Sequence, residues 1–371
     1  MVGIGLAFRR VAPPAFLGLL PLVLLIVLTR SEVHAGDLGV DFRGELYPEA
    51  KLILQGTNPF PGPHADLAGG VNRIFPIPAA LLLAPLTLMS PAAATATFVA
   101  LLLAALLATA RILGVRDWRV YGVLLLWPAS FAGLQTGNLT ILLALLIAVA
   151  WRYREREYLS GMAVGAAIAL KVFPWPVIIW MLACRRYRAA ATGAAVACGS
   201  LLLVLPFTTV GDYLRLLDQL GNTFAPKSYN LVGLVVQSGA GGVGTGKLLA
   251  EGAGALVLGF AYARRSLTLS VAAALLLSPI VWLHYFVLLV IPLGARSPRL
   301  SAAWFVPLGL FVCPGSFERI RAWEILVALL VLATTTALAE WRCGSLTRPP
   351  PFPPAGVLAR RSPSPAEGSS T

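Results

Sequence analysis

The stretch VYGVLLLWPASFAGLQTGNLTILLALLIAVAW (Val120–Trp151) contains no charged side chain. It is longer than the ~20 apolar residues that cross a ~30 Å hydrocarbon core. Its centre, Pro128 to Asn138, is polar and rich in turn formers, which fits two half-length helices meeting at a break. Non-helical backbone at membrane depth is tolerated where it lines a cavity. Only helices and closed barrels satisfy the backbone in lipid, and the apolar residues here are continuous rather than alternating. The reading is therefore an all-α, polytopic membrane protein.

The rest of the chain repeats the pattern. SGMAVGAAIALKVFPWPVIIWMLA (Ser160–Ala183) uses the same device, with Lys171 in mid-run and Pro174 and Pro176 just behind it. Upstream, a first helix is predicted over 12–29. FPIPAALLLAPLTLM (Phe75–Met89) and AAATATFVALLLAALLATARIL (Ala92–Leu113) form a hairpin broken at Ser90–Pro91. Downstream, a helix over 189–206 leads to a polar stretch, Thr208–Gln237, containing amphipathic DYLRLLDQL. Further apolar runs lie near 248–262, 267–294, 302–314 and 322–339. The total is ten to twelve spans. The basic ends on both sides of 158–184 ask for the same side of the membrane, which a single crossing does not provide.

Composition agrees. Of 371 residues, 58% are hydrophobic and 12% charged, against about 25% charged in soluble domains. The net charge of +13 lies in short clusters between apolar runs: Arg9–Arg10, Trp151–Glu157, Cys184–Arg188 and Arg264–Arg265. This is how cytoplasmic loops look under the positive-inside rule, so nucleic acid is rejected as a partner. The four cysteines form no C-x-x-C pair, and neither a zinc site nor a disulfide framework is indicated. The N-terminal apolar run is long for a signal peptide, so the first helix reads as uncleaved despite the weak Val33-His34-Ala35 cleavage pattern. From Gly344 the Pro- and Ser-rich sequence has no hydrophobic pattern and reads as a disordered tail. Residues 1–343 are thus the membrane domain and 344–371 the tail.

The densest polar cluster follows the first helix: GDLGVDFRGELYPEAKLILQGTNPF (Gly36–Phe60). Phe42, Leu46, Ala50, Ile53 and Leu54 recur at helical spacing, with Arg43, Glu45, Glu49 and Lys51 between them. They predict a short amphipathic helix on the extracytoplasmic membrane surface, ended by GTNPFPGP. Asp41 places a carboxylate at that surface, where it is positioned to deprotonate a hydroxyl; Asp37 is the reserve candidate, and loop carboxylates are common. A Lys in mid-helix is costly, so Lys171 faces a polar cavity or partner, or snorkels to an interface. His284, in LSPIVWLHYFVLL, is either a satisfied buried histidine or a binding or proton-handling group. Gln135 and Asn138 either cap the half-helices or hold sugar hydroxyls. Lys227, Ser228 and Asn230 lie in APKSYNLVG and read as loop residues. SGAGGVGTGK mimics a nucleotide loop, but Leu248 stands where a P-loop needs Ser or Thr, and a flexible loop before a helix is the better reading.

These elements, in this order, resemble glycosyltransferase family 87, the polyprenol-phosphate-mannose-dependent α-1,2-mannosyltransferases of GT-C fold. The likeness rests on VDFRGELYPEAKLILQGTNPF, FPIPAALLLAPL, LQTGNLTILLALL, SGMAVGAAIALKVFPWPVIIWMLACRRYRAA and LLLSPIVWLHYFVLLVIPL, which together cover about residues 37–294. The resemblance implies a polyprenyl-phosphate sugar donor, a lipid-linked or glycan acceptor, work at the extracytoplasmic face of the cell membrane, and inversion. Asp41 maps to the catalytic base. Lys171 and His284 become candidates for stabilising the leaving phosphate, with Arg43 or Lys227 in support, and Gln135, Asn138 and Asn230 for binding substrate. No cofactor or metal is implied, the lipid-linked donor being itself a substrate. Three alternatives stand beside this one. They are the same fold with a polyprenyl-phosphate pentose, a lipid or sugar transporter without transferase activity, and a non-catalytic assembly subunit.

Overall fold

The computed structural model describes residues 14–62, 65–67, 75–313 and 320–341. The Arg9–Arg10 pair and the tail after Gly344 lie outside the described residues. Every described element is helical. Among the described residues, five helices are long and apolar enough to cross a membrane: Ala15–Ala35, Pro91–Ile112, Tyr187–Val204, Val243–Arg264 and Ala322–Trp341. The bent pair Pro128–Thr136 and Thr140–Arg152 makes a sixth if counted as one span. The ten to twelve spans expected from the apolar runs are therefore not all there as full-length helices. Prolines divide the other runs into shorter pieces: Ile77–Leu88, Glu157–Leu170, Leu267–Leu277, Leu283–Arg296 and Ala302–Val312.

The breaks follow from local chemistry. Proline lacks the N–H of the helical ladder and clashes with the preceding turn. The Val120–Trp151 run breaks twice, at Trp127–Pro128 and at 137–139, so Pro128–Thr136 is a helix of its own rather than an open centre. The second break bends the chain by 117°. Gly137 makes it, adopting φ 68°, a left-handed conformation that favours glycine. A side chain there would also come within 2.9 Å of Phe42 Cβ. Ser278–Pro279 divides 267–294 in the same way, and His284 falls in a tight 3₁₀ turn, Leu283–Leu289, rather than in a continuous helix. Of the glycine-rich SGAGGVGTGK, the part from Val243 onward is helical, and Lys247 pairs with Asp218 at 3.2 Å.

The 158–184 region is not a single crossing. Helix Glu157–Leu170 ends at Lys171, whose backbone is extended, and the chain turns through Pro174 into Pro176–Ala183. Lys171 thus sits at the tip of a helical hairpin, not inside a helix. The two basic ends meet: Arg186 Nη2 lies 2.7 Å from Glu155 Oε1, and Cys184 Sγ approaches the Arg265 carbonyl at 4.0 Å. This resolves the parity conflict in the loop charges. Arg111, Arg152, Arg264 and Arg296 lie in the last turns of their helices, Arg152 in the one that starts at Thr140 just after the Gly137 break, and Arg186 precedes Tyr187–Leu201.

The first-loop helix forms over 42–54, its first turn widened to π geometry. Phe42, Leu46, Ala50 and Ile53 are buried, but against protein: Phe42 stacks on Phe98 with ring centroids 4.8 Å apart, and the Tyr47 hydroxyl donates to the Met89 carbonyl. Leu54 is exposed instead. The helix Ala15–Ala35 is almost unburied, presenting Leu19, Leu22, Ile26 and Val27 outward, as a lipid-facing helix does.

The hairpin packs closely on Tyr187–Val204 through glycines. A Cβ at Gly165 would lie 2.6 Å from Val196 Cβ and 2.7 Å from the Gly193 carbonyl, whereas one at Gly199 meets nothing within 4 Å. Gly165→Ala should therefore lower the thermal unfolding midpoint in detergent, since overpacking costs about 1–3 kcal/mol. Gly199→Ala should hold or raise it, because alanine is the better helix former by about 1 kcal/mol. Equal midpoints for the two variants would show that the hairpin does not depend on this close approach.

Candidate active site

Three segments far apart in sequence meet at the Gly137 break. The first loop arrives through a main-chain bond: Gly39 N–H donates to the Gln135 carbonyl at 2.5 Å. This sets Asp41 beside the break. Asn138 then joins the parts. Its Nδ2 donates to Asp41 Oδ2 at 2.6 Å, and its Oδ1 accepts from Thr140 N–H at 3.0 Å and from the Thr140 hydroxyl at 2.7 Å. Lys171 Nζ reaches the same Oδ1 at 3.3 Å. One buried amide therefore connects a carboxylate from the first loop with an ammonium from the hairpin tip.

Aromatic rings complete the surroundings. Lys171 Nζ lies 4.1 Å from the centre of the Tyr285 ring and 5.8 Å from that of Phe75, within the range of a cation–π contact. Tyr285 stacks on Phe173, and the His284 ring lies 5.0 Å from it. His284 is buried and its Nε2 has no hydrogen-bond partner among the described residues. A Cβ added at Gly133, on the helix before the break, would lie 3.6 Å from His284 Cβ.

Asp41 is half-buried and lies in the loop, outside the spans. Burial pushes its carboxyl above the ordinary aspartate range. The Asn138 bond, the Lys171 charge and the Thr136 hydroxyl act in the opposite direction. A carboxyl so placed is a stronger base than an exposed aspartate and still has the partners that favour its charged form.

Of the residues singled out in the sequence, Asp41, Asn138, Lys171 and His284 gather here. Four others do not serve the same centre as side chains. Arg43 is exposed and its guanidinium donates back to the Gly36 carbonyl. Gln135 contributes its carbonyl, noted above, rather than its amide. Lys227 is exposed on a short turn. Asn230 caps the helix Leu231–Gln237 through Gly233 N–H at 2.7 Å and donates to the Pro279 carbonyl at 2.5 Å, which fixes the backbone leading to His284. Tyr285, Thr140 and Glu45 were not singled out as site residues. For Glu45 a signal was present, since it stands four residues after Asp41 on one helix.

Beside the hairpin tip an apolar crevice of about 240 Å³ opens among Pro76, Ile168, Val172, Trp175, Ala197 and Val204. It is contiguous in sequence with Lys171 through Val172.

No curated protein and no solved structure matches the chain. The family model of glycosyltransferase family 87 matches residues 74–292, more than half of the chain. That span holds Asn138, Lys171 and His284, and begins after Asp41. The chain belongs to glycosyltransferase family 87 and is a membrane glycosyltransferase.

Proposed function

We propose that the protein transfers a hexose, mannose, from a polyprenyl phosphate to a hydroxyl of a lipid-linked or glycan acceptor, with inversion, on the extracytoplasmic side of the cell membrane. The observation that carries this reading is the Asn138 amide holding Asp41 and Lys171 on its two ends. Inverting transfer needs a base for the attacking hydroxyl and a cation for the departing phosphate, and both are here within one side chain's reach of each other. Asp41 accepts the hydroxyl proton. The oxygen attacks the anomeric carbon as the bond to the phosphate breaks, and the polyprenyl phosphate leaves with the electron pair. The Lys171 ammonium offsets the growing negative charge. His284, with Nε2 unpartnered among the described residues, is the second group for the phosphate. The apolar crevice beside Val172 supports a donor with a long hydrocarbon chain. Arg152 closes the helix that leaves the break and Arg186 stands beside Glu155 near that end; under the positive-inside rule this supports an extracytoplasmic centre.

Asp41→Asn keeps the size of the side chain and removes the base. Transfer from polyprenyl-phosphate mannose should fall by about 10²–10⁴-fold, with unchanged gel-filtration behaviour. Near-normal turnover in this variant would remove Asp41 from the mechanism.

Lys171→Met retains length and removes charge. Losing a charge-assisted hydrogen bond of about 1.5–3 kcal/mol should cost tenfold or more in donor affinity. Arginine should restore only part of it, because a planar fork does not replace a compact ammonium. Donor titrations of both variants in nanodiscs are the check, and unchanged affinity in a folded Met variant would make Lys171 structural.

The pH profile carries a sign. A base must be deprotonated, so kcat/KM falls as pH drops through its pKa. Because the Asp41 pKa is raised, this acid limb should lie above the ~3.9 of an ordinary aspartate. Asn138→Ala removes the bond that favours the charged form, so its limb should move to still higher pH. A limb that stays in place, or moves down, would dissociate it from Asp41.

A further inference from the structure

The first loop brings a second carboxyl group to the same centre. Glu45 stands four residues beyond Asp41 in the widened helical turn that begins at Phe42. Four residues apart on a helix, the two side chains share one face, and the Asp41 charge reaches the Glu45 carboxyl. The flanking positions divide cleanly: Phe42 and Leu46 are buried against the core, Arg43 is exposed, and Asp41 and Glu45 are both half-buried between them. Glu45 lies near enough to feel the charges of both Asp41 and Lys171. Yet its carboxyl makes neither a hydrogen bond nor an ion pair among the described residues. It differs in this from Asp41, whose oxygen is held by Asn138.

The pair is also electrically divided. Burial first, and the Asp41 charge next, push the Glu45 carboxyl up to about 8, against the lowering effect of Lys171. Asp41 has three groups favouring its anion where Glu45 has one. Two neighbouring carboxyls whose surroundings separate them in this way take different roles. Asp41 is the anion that accepts a proton, and Glu45 is a neutral acid with an O–H to donate and a carbonyl to accept. A neutral carboxylic acid with no protein partner is suited to a hydroxyl, which also both donates and accepts.

Given the transfer reading above, on which this inference rests, we propose that Glu45 binds the acceptor hydroxyl adjacent to the one that Asp41 deprotonates. The two carboxyl groups then read a vicinal diol on the acceptor sugar. Glu45 is a specificity residue on the acceptor side, and the acceptor it implies is a sugar or polyol rather than an isolated alcohol or a phosphate.

The test uses the full-length protein in nanodiscs and octyl α-mannoside as the probe, with binding to empty discs subtracted. No donor is needed for this measurement. Glu45→Ala should weaken octyl mannoside binding about tenfold, the effect of one lost hydrogen bond, and Glu45→Gln, which still donates and accepts, should stay within about threefold. Among the monodeoxy analogues of the probe, one should bind the wild type about tenfold more weakly and lose nothing further in Glu45→Ala. A merely structural residue would not produce that pairing. Transfer from polyprenyl-phosphate mannose, measured in parallel, should show an unchanged donor KM in both variants. Wild-type binding in Glu45→Ala, absence of probe binding to either protein, or an equal loss for every analogue would overturn the proposal. So would a rise in donor KM. A wild type that binds the probe with the expected Glu45 dependence but transfers nothing from polyprenyl-phosphate mannose would instead count against the donor reading alone.

Discussion

The Asn138 amide is the contact on which the site depends. Its Nδ2 fixes Asp41 and its Oδ1 takes Thr140 and Lys171. A buried amide costs free energy unless its donors and acceptors are met. Here the partners come from three separate parts of the chain, so satisfying one side chain also assembles the centre. The break next to it would be untenable facing lipid, because helix ends leave backbone groups unpaired. Instead Gly39 N–H meets the Gln135 carbonyl, and Thr140 N–H meets Asn138. The first loop therefore completes the span, and the span positions the first loop.

Proline sets the shape that makes this possible. A continuous helix through 157–183 would carry Lys171 on one side of a cylinder and bring its two basic ends to opposite faces. Interrupted at Pro174 and Pro176, the chain turns back, and Lys171 comes to the tip of a hairpin. The tip is where an extended residue can project its side chain without competing for a helical face. Close packing at Gly161 and Gly165, whose added Cβ atoms would strike the neighbouring helix, holds that hairpin against Tyr187–Val204. Short helices, glycine contacts and a half-buried tip are one solution to the problem of bringing a cation to a half-buried carboxylate.

Much of this was legible in the residues. The apolar runs give helices, Ser90–Pro91 gives the start of a new helix with Ser90 as its cap, and the polar interval before Thr140 gives a break. Asp41, Asn138, Lys171 and His284 stand out as polar groups where apolar ones are the rule. The partnership between them is not legible, because it depends on tertiary contacts between segments nearly a hundred residues apart in sequence, Asp41 to Asn138. Hydropathy also reads each apolar run as one unit: it records that a segment is apolar but not that proline divides it. Arg43 and Lys227 have the right charge, but Arg43 donates to the Gly36 carbonyl and Lys227 is exposed on a short turn, which composition does not encode. Asn230 is an N-cap, and its place just before LVGL carries that signal. Leu54 breaks the amphipathic pattern because the helix ends there, at Gln55 and Gly56.

The amide between Asp41 and Lys171 also answers why the two are not simply paired. At 4 Å and an effective dielectric constant of about 20, a direct ion pair is worth on the order of 4 kcal/mol. A carboxylate so paired is a poor base, and an ammonium so paired must give up that attraction before it can receive a phosphate. Among the described residues Lys171 makes no ion pair. It rests instead on a neutral amide oxygen at 3.3 Å and on the face of Tyr285, weak contacts that the phosphate of the proposed donor would replace at little cost. Asp41 is held by a neutral donor, which orients it and leaves its remaining lone pairs open to a proton. In the proposed reaction a neutral bridge thus keeps the base and the cation apart across the few ångströms assigned to the glycosyl group, which a salt bridge at the same position would not.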